Sequence, residues 1–289
     1  AAIAFLRDRF DHVYHSSDEL GELRRPILGY IPFVDIFKDV REEKENIISK
    51  LAEFKNTKEL DKETKKKRSF QRFFYQEAFR NLSTSIRFLN TEKSNKKVFA
   101  ITSSMPTEGK SLVSILLSKT VEEMGQKIVL VDSDLRKPQV HTRLGLDNIL
   151  GLSNYLADPT VKANQILQEV PDHNSWRVIT SGRVAPDPTR LLNSSRMDEL
   201  IKEIQDVFEP DLILFDTPPV LGLADSSLTS KHCDGMFLIV SLNKVDRALP
   251  NQALQKLKMS GTEVLGLIAN ESIKTKSRSS SAYSYGYGK

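Results

Sequence analysis

The 289-residue chain has a single cysteine, Cys233, so no internal disulfide is available to it. Such usage fits a reducing cytosol. No apolar run approaches the about 18 to 20 residues with which a helix crosses a bilayer, and the opening residues lack the basic, apolar and small-residue order of a secretory leader. The formal net charge of +4 is too small to argue for nucleic acid as a partner. The five histidines are scattered without metal-ligand spacing, and no Gly-x-Ser-x-Gly or Cys–His pairing marks a nucleophile. What is present, 39% hydrophobic and 28% charged residues, is the composition of a soluble globular protein. The length suits one large α/β domain with flanking arms.

The pattern divides the chain into an arm and basic linker over residues 1–68, a core over 69–273 and a tail over 274–289. The apolar start Ala1–Leu6, followed by Arg7 and Arg9, reads as the cut end of a transmembrane helix with its positive cytoplasmic flank; a fragment begun at an arbitrary loop is the alternative. An amphipathic helix is expected over about Val40–Phe54, from Ile47, Ile48, Leu51 and Phe54. Lys55–Arg68 reads as a solvated linker, with attraction to an anionic leaflet as the functional alternative for Lys65–Arg68. Beyond Phe70, helices alternate with short, solidly apolar strands at Val98–Thr102, Lys127–Asp132, Arg177–Thr180, Leu212–Phe215, Met236–Val240 and Val264–Ala269. Helices are expected at Phe70–Leu89, Lys110–Met124, Thr189–Val207, Ala224–Lys231 and Arg247–Met259. Strands apolar along their whole length are buried on both faces, which predicts a doubly wound, mostly parallel sheet between helical layers. Trp176 reads as core, and Cys233 as a half-buried strand start. The Ser-, Gly- and Tyr-rich tail is expected to be disordered.

The strongest chemical signal is the stretch Ser103–Ser111, which lies directly after an apolar strand and before an apolar-periodic helix. In that setting backbone N–H groups and the helix dipole cradle phosphates, Lys110 reaches them as a point charge, and the Ser111 hydroxyl ligates Mg²⁺. The stretch departs from G-x-x-x-x-G-K-[ST] at Ser104, where a glycine is usual. A second strand ends in Asp132-Ser133-Asp134, whose two carboxylates, two residues apart, project together. A third ends at Asp216, in the manner of a strand-terminal metal site. Ligands of parallel α/β sheets sit at this C-terminal edge. Three carboxylates and a phosphate loop there describe a Mg-nucleotide centre; as simple helix caps they would be an unlikely trio.

Taken together, Ser-x-x-Pro-x-Glu-Gly-Lys-Ser, Val-Asp-Ser-Asp-Leu-Arg-Lys-Pro and Phe-Asp-Thr-Pro-Pro resemble the bacterial tyrosine kinases, or BY-kinases, of capsule and exopolysaccharide export. Local likenesses at Leu150–Ser153, Gly182–Leu192 and Val264–Gly266 extend the resemblance over roughly Gln76–Asn270. The Leu20–Pro32 arm is similar to the segment after the second membrane helix of polysaccharide co-polymerases. The resemblance implies ATP and Mg as ligands, held by Pro106, Thr107, Glu108, Gly109, Lys110, Ser111 and Leu112, with Asn270 on the adenine side. It implies that Asp132 accepts the proton of a tyrosine hydroxyl, while Asp134 and Asp216, with Ser111, hold the metal directly or through water. Lys110, Asp132, Asp134 and Asp216 are the expected catalytic set.

Of seven tyrosines, Tyr283, Tyr285 and Tyr287 lie in the last seven residues and are the expected phosphoacceptors. A flexible tail can thread hydroxyls into a neighbour's site, each phosphate adding about −1.5 to −2 charge. The family joins subunits into rings through Glu-x-x-Arg-x-x-Arg. Here Glu77 and Arg80 are present, Ser83 replaces the last arginine and Arg87 lies one turn on, which leaves a ring as one possible homo-oligomer. The implied partners are the chain itself, a protein-tyrosine phosphatase and the export machinery, on the cytoplasmic side of the inner membrane. A nucleotide-switched positioning ATPase of the partition and septum-placement type, or an ATP-binding scaffold whose tail is a partner ligand, are the rival functions.

Overall fold

In the computed structural model, the described residues are 12–35, 46–55, 61–89 and 96–271. The apolar start Ala1–Leu6, the first part of the expected Val40–Phe54 helix and the tail tyrosines lie outside them. In chain order the elements are a 3-10 turn (Asp18–Leu23), β1 (Ile27–Ile31), α1 (Ile47–Lys55), α2 (Lys62–Phe88), β2 (Val98–Ser103), α3 (Lys110–Glu123) and β3 (Ile128–Asp132). Short helices α4 (Val140–Leu144), α5 (Leu152–Ala157) and α6 (Ala163–Ile166) follow, then β4 (Gln168–Val170) and β5 (His173–Ile179). The last third contains α7 (Pro188–Leu192), α8 (Arg196–Phe208), β6 (Leu212–Asp216), α9 (Asp225–Ser230), β7 (Gly235–Leu242), α10 (Ala248–Met259) and β8 (Val264–Glu271).

The eight strands form one sheet in the order β1-β8-β7-β2-β6-β3-β5-β4, parallel throughout except for the antiparallel β4–β5 pair. Alternate residues of the central strands feed two separate apolar clusters, as period-2 side-chain geometry requires. Phe99, Ile101, Leu130, Leu214 and Phe237 face one side with Phe79, Leu82, Leu112 and Leu116 from α2 and α3. Ala100, Val131, Phe215 and Leu238 face the other with Met197, Leu200 and Leu257 from α8 and α10. This is the expected doubly wound α/β architecture. Trp176 is fully buried, and Cys233 is half-buried just before β7.

Three elements differ from the sequence-based expectation. The linker expected through Arg68 is helical from Lys62, because Asp61 caps the helix by accepting the N–H groups of Glu63 and Thr64 at 3.0 Å. The run Lys65–Lys67 remains exposed on that helix. The single helix expected over Thr189–Val207 is two, broken at Asn193–Ser195, where Ser194 Oγ donates to the Leu191 carbonyl at 2.7 Å. Within the Leu20–Pro32 arm, for which no strand was expected, Ile27–Ile31 joins the sheet as β1, pairing in parallel with β8.

Candidate active site

The rim at the C-terminal ends of β2, β3 and β6 is adjacent by construction, since β6 lies between the other two. Asp132 and Asp216 are register partners on β3 and β6. The loop after β2 returns to the start of α3 through two left-handed residues, Thr107 (φ 67°) and Gly109 (φ 93°). At Gly109 a side chain is excluded twice over, by the backbone conformation and by Asn270 Nδ2, which would lie 2.4 Å from an added Cβ. Asn270, at the end of β8, donates that Nδ2 to the Glu108 carbonyl at 2.8 Å, while its buried Oδ1 has no hydrogen-bond partner.

Glu108 is fully buried, with its carboxylate turned into the protein. It accepts the N–H of Met105 at 2.6 Å and of Ser241 at 3.0 Å, and burial pushes its pKa up to about 7 against those two bonds. The side chain therefore shapes the loop from beneath, leaving its backbone N–H as the group on offer to a ligand. Pro106, which has no N–H, can only contribute shape. Leu112 is a core residue whose side chain packs under the sheet.

Lys110 and the carboxylates converge. Lys110 Nζ lies 3.0 Å from Asp134 Oδ2, 3.8 Å from Asp216 Oδ2 and 3.3 Å from Ser111 Oγ. Burial alone would depress the lysine pKa, but Asp216 and Asp134 outweigh it and hold the ammonium above its usual range. Asp134 Oδ1 accepts the Lys137 N–H at 3.0 Å. Asp132, fully buried, accepts backbone N–H groups of Asp134 through Oδ1, and of Gln139 and Val140 through Oδ2, at 3.1 to 3.2 Å. Burial and the facing Asp216 push the carboxyl of Asp132 up to about 7, and burial raises Asp216 as well. Asp216 Oδ1 accepts the Ser114 hydroxyl at 3.2 Å, whereas its Oδ2 is buried with no hydrogen-bond partner. A buried carboxylate oxygen with no hydrogen-bond donor, its ammonium neighbour 3.8 Å away, beside a serine hydroxyl is the donor chemistry a hard divalent cation takes. Among the described residues no group of three or more His, Cys, Asp or Glu side chains is disposed to hold a metal unaided, so phosphate oxygens and water would complete any coordination shell.

All of Lys110, Ser111, Asp132, Asp134, Asp216 and Asn270 are thus brought to one rim, and Tyr283, Tyr285 and Tyr287 lie outside the described residues. Three supporting contacts were not assigned from the sequence. Lys244 crosses from the end of β7 to donate to the Thr107 carbonyl at 2.7 Å and its hydroxyl at 3.0 Å. Arg136 grips Asp225 with Nε–Oδ2 at 2.6 Å and a second bond at 3.2 Å, tying the loop after β3 to the start of α9. Ser114 lies one turn beyond the motif on α3, where spacing alone would have suggested it.

This strand-loop-helix with acidic strand ends defines a nucleotide-binding P-loop NTPase of the ParA type. The ParA family model, described as NUBPL iron-transfer P-loop NTPase, matches residues 94–288. Tyrosine-protein kinase YwqD of Bacillus subtilis is 36% identical over 196 residues, covering 67% of this chain and 80% of that protein. Tyrosine-protein kinase etk of Escherichia coli K12 is 34% identical over 209 residues, covering 72% of this chain but only 28% of that longer relative. Among solved structures, the kinase domain of Escherichia coli tyrosine kinase ETK superposes with a TM-score of 0.74 at 26% identity, covering 94% of this chain and 99% of that one. The chain belongs to the bacterial tyrosine-protein kinases.

Proposed function

We propose that the chain transfers the γ-phosphoryl group of Mg-ATP to tyrosine hydroxyls of its own C-terminal tail, at Tyr283, Tyr285 and Tyr287. The observation that carries this is the convergence of one buried lysine and three carboxylates on a single rim, with Asp216 Oδ2 left unsatisfied. Lys110, freed from Asp134 when phosphate oxygens enter, neutralises the triphosphate. Backbone N–H groups of Thr107–Leu112 bind the same oxygens at the start of α3. Ser111, Asp134 and Asp216 would hold Mg²⁺, which when bound supplies charge neutralisation between the phosphates. Asn270 lines the adenine side.

Asp132 takes the phenolic proton as the tyrosine oxygen bonds to the γ-phosphorus and the bond to the bridging oxygen of ADP breaks. Three backbone N–H groups keep that carboxylate aimed while it waits. Phosphoryl transfer asks mainly for such positioning and charge neutralisation. In the cell, the reading puts this activity on the cytoplasmic side of the inner membrane. There it would regulate capsule or exopolysaccharide export, with a phosphatase resetting the tail. Tail-to-site transfer between subunits would need a homo-oligomer; Glu77 and Arg80 are paired with each other at 2.7 Å on α2, and Ser83 is buried.

Intact-protein mass spectrometry tests the proposal. Several increments of about 80 Da, one per phosphate, should map to Tyr283, Tyr285 and Tyr287 and vanish in Lys110→Met. Active ATP hydrolysis with an unmodified tail would overturn it.

A further inference from the structure

The first half of α2 carries an exposed aromatic face beside a run of basic residues. Tyr75, Ala78, Phe79 and Leu82 bury one side of the helix. At about 100° per residue, Lys62, Lys66, Phe70 and Phe73 fall on the opposite side. Phe70 is 64% exposed and Phe73 53%, and both rings meet Phe74, at 4.2 and 5.7 Å between centroids, so the three form an aromatic ledge. Val184 and Met259 are exposed singly, which is ordinary for a protein surface, and the adjacent exposed pair Ile149 and Leu150 has no run of basic residues beside it in the sequence. The ledge has both the aromatic cluster and the basic run.

Its surroundings are cationic. Between Lys62 and Arg72 lie six basic side chains, Lys62, Lys65, Lys66, Lys67, Arg68 and Arg72, against one acid, Glu63. Lys67 meets Asp35 at 3.0 Å, while Lys62, Lys65 and Lys66 are exposed. A helix with exposed aromatics ringed by lysines has the two attractions that hold a peripheral surface on an anionic bilayer. The rings enter the headgroup boundary, and the ammonium groups meet lipid phosphates while their stems lie along the apolar layer.

We propose that this face of α2 docks on an anionic lipid surface, with Phe70 and Phe73 entering the interface and Lys62, Lys65 and Lys66 meeting the phosphates. A second copy of the chain is the competing occupant, but one packed through the same face would set like charges against each other, and six basic side chains against one acid call for an anionic partner. Charge complementarity therefore selects the lipid. The inference stands apart from the phosphotransfer reading, since none of these residues lies at the nucleotide rim.

Co-sedimentation of the 289-residue chain with vesicles tests it. The chain should partition onto vesicles containing phosphatidylglycerol and not onto pure phosphatidylcholine. Replacing Lys62, Lys65 and Lys66 together by Gln should lower the partition coefficient on the order of 10²-fold. The pair Phe70→Ser and Phe73→Ser should lower it at least about tenfold, even at low salt. Both variants should keep the parent's melting temperature and nucleotide binding, because the altered side chains are exposed. Parent-like partitioning by either variant would overturn the proposal. So would a change in light-scattering mass on removing the two Phe rings with vesicle binding intact, which would assign the face to self-association.

Discussion

Strands β2, β3 and β6 at the middle of the sheet are buried at every residue, whereas β1 at its edge alternates among exposed, buried and half-buried positions. The central strands owe their burial to neighbours on both sides and helices on both faces, so each reads as an unbroken apolar run that stops where the rim begins. Edge strand β1 has a single partner, β8, some 240 residues further along the chain, and a local pattern that any extended segment could show. Chemistry follows the same division. The middle of the sheet ends in Asp132 and Asp216, while β1 contributes packing, with Leu28 pressed against Gly266 so closely that a Cβ there would lie 2.5 Å from it.

That contrast can be tested by substitution. Phe215→Ala, in the fully buried centre, should cost about 3–5 kcal/mol of unfolding free energy in urea titration. A smaller loss would mean that the central layer relaxes more readily than its packing implies. Asp132→Asn should lower phosphotransfer on the order of 10²-fold while leaving nucleotide affinity nearly unchanged, measured by single-turnover assay and by equilibrium binding. Equal losses in both would remove Asp132 from the role of base. Leu28→Ala, at the edge, should cost about 2 kcal/mol, less than the centre, because β1 has one strand neighbour. Were it to match Phe215→Ala, edge and centre would be one cooperative layer.

A separate effect concerns pH. Burial raises the Glu108 carboxyl from its ordinary 4.5 to about 7 in the folded chain. Its protonated form is therefore favoured by folding, and the stability it contributes is present below pH 4.5 and lost as pH rises through about 7. Glu108→Gln should flatten the fall of melting temperature across that window. An unchanged slope would mean that the two backbone N–H groups already hold the carboxylate charged.

Particular residues show how far sequence reading reaches. Gly109, Lys110 and Ser111 announce themselves because their spacing sits between an apolar strand and a helix, and Asp132, Asp134 and Asp216 because each closes an apolar strand. Lys244 does not, since a lone cation carries no pattern until Thr107 is brought beside it, and Arg136, though inside a quoted motif, shows no role until Asp225 faces it. The break at Asn193–Ser195 was likewise hidden, for helical periodicity runs on through three small polar residues, of which Ser194 turns its hydroxyl to the Leu191 carbonyl. The inward turn of Glu108 had no signal at all, because it depends on the N–H of Ser241, far away in the chain.

Sequence alone determined the layered α/β class, the nucleotide loop and the acidic strand ends, since these follow from hydrophobic period and from side chains at fixed short spacings. Tertiary structure alone decided the strand order, the place of β1 at the edge, the contact of Asn270 with the phosphate loop and the exposed aromatic ledge of α2. Each of those depends on which distant segments meet, and short-range chain geometry leaves that choice open until the two apolar faces of the sheet are covered.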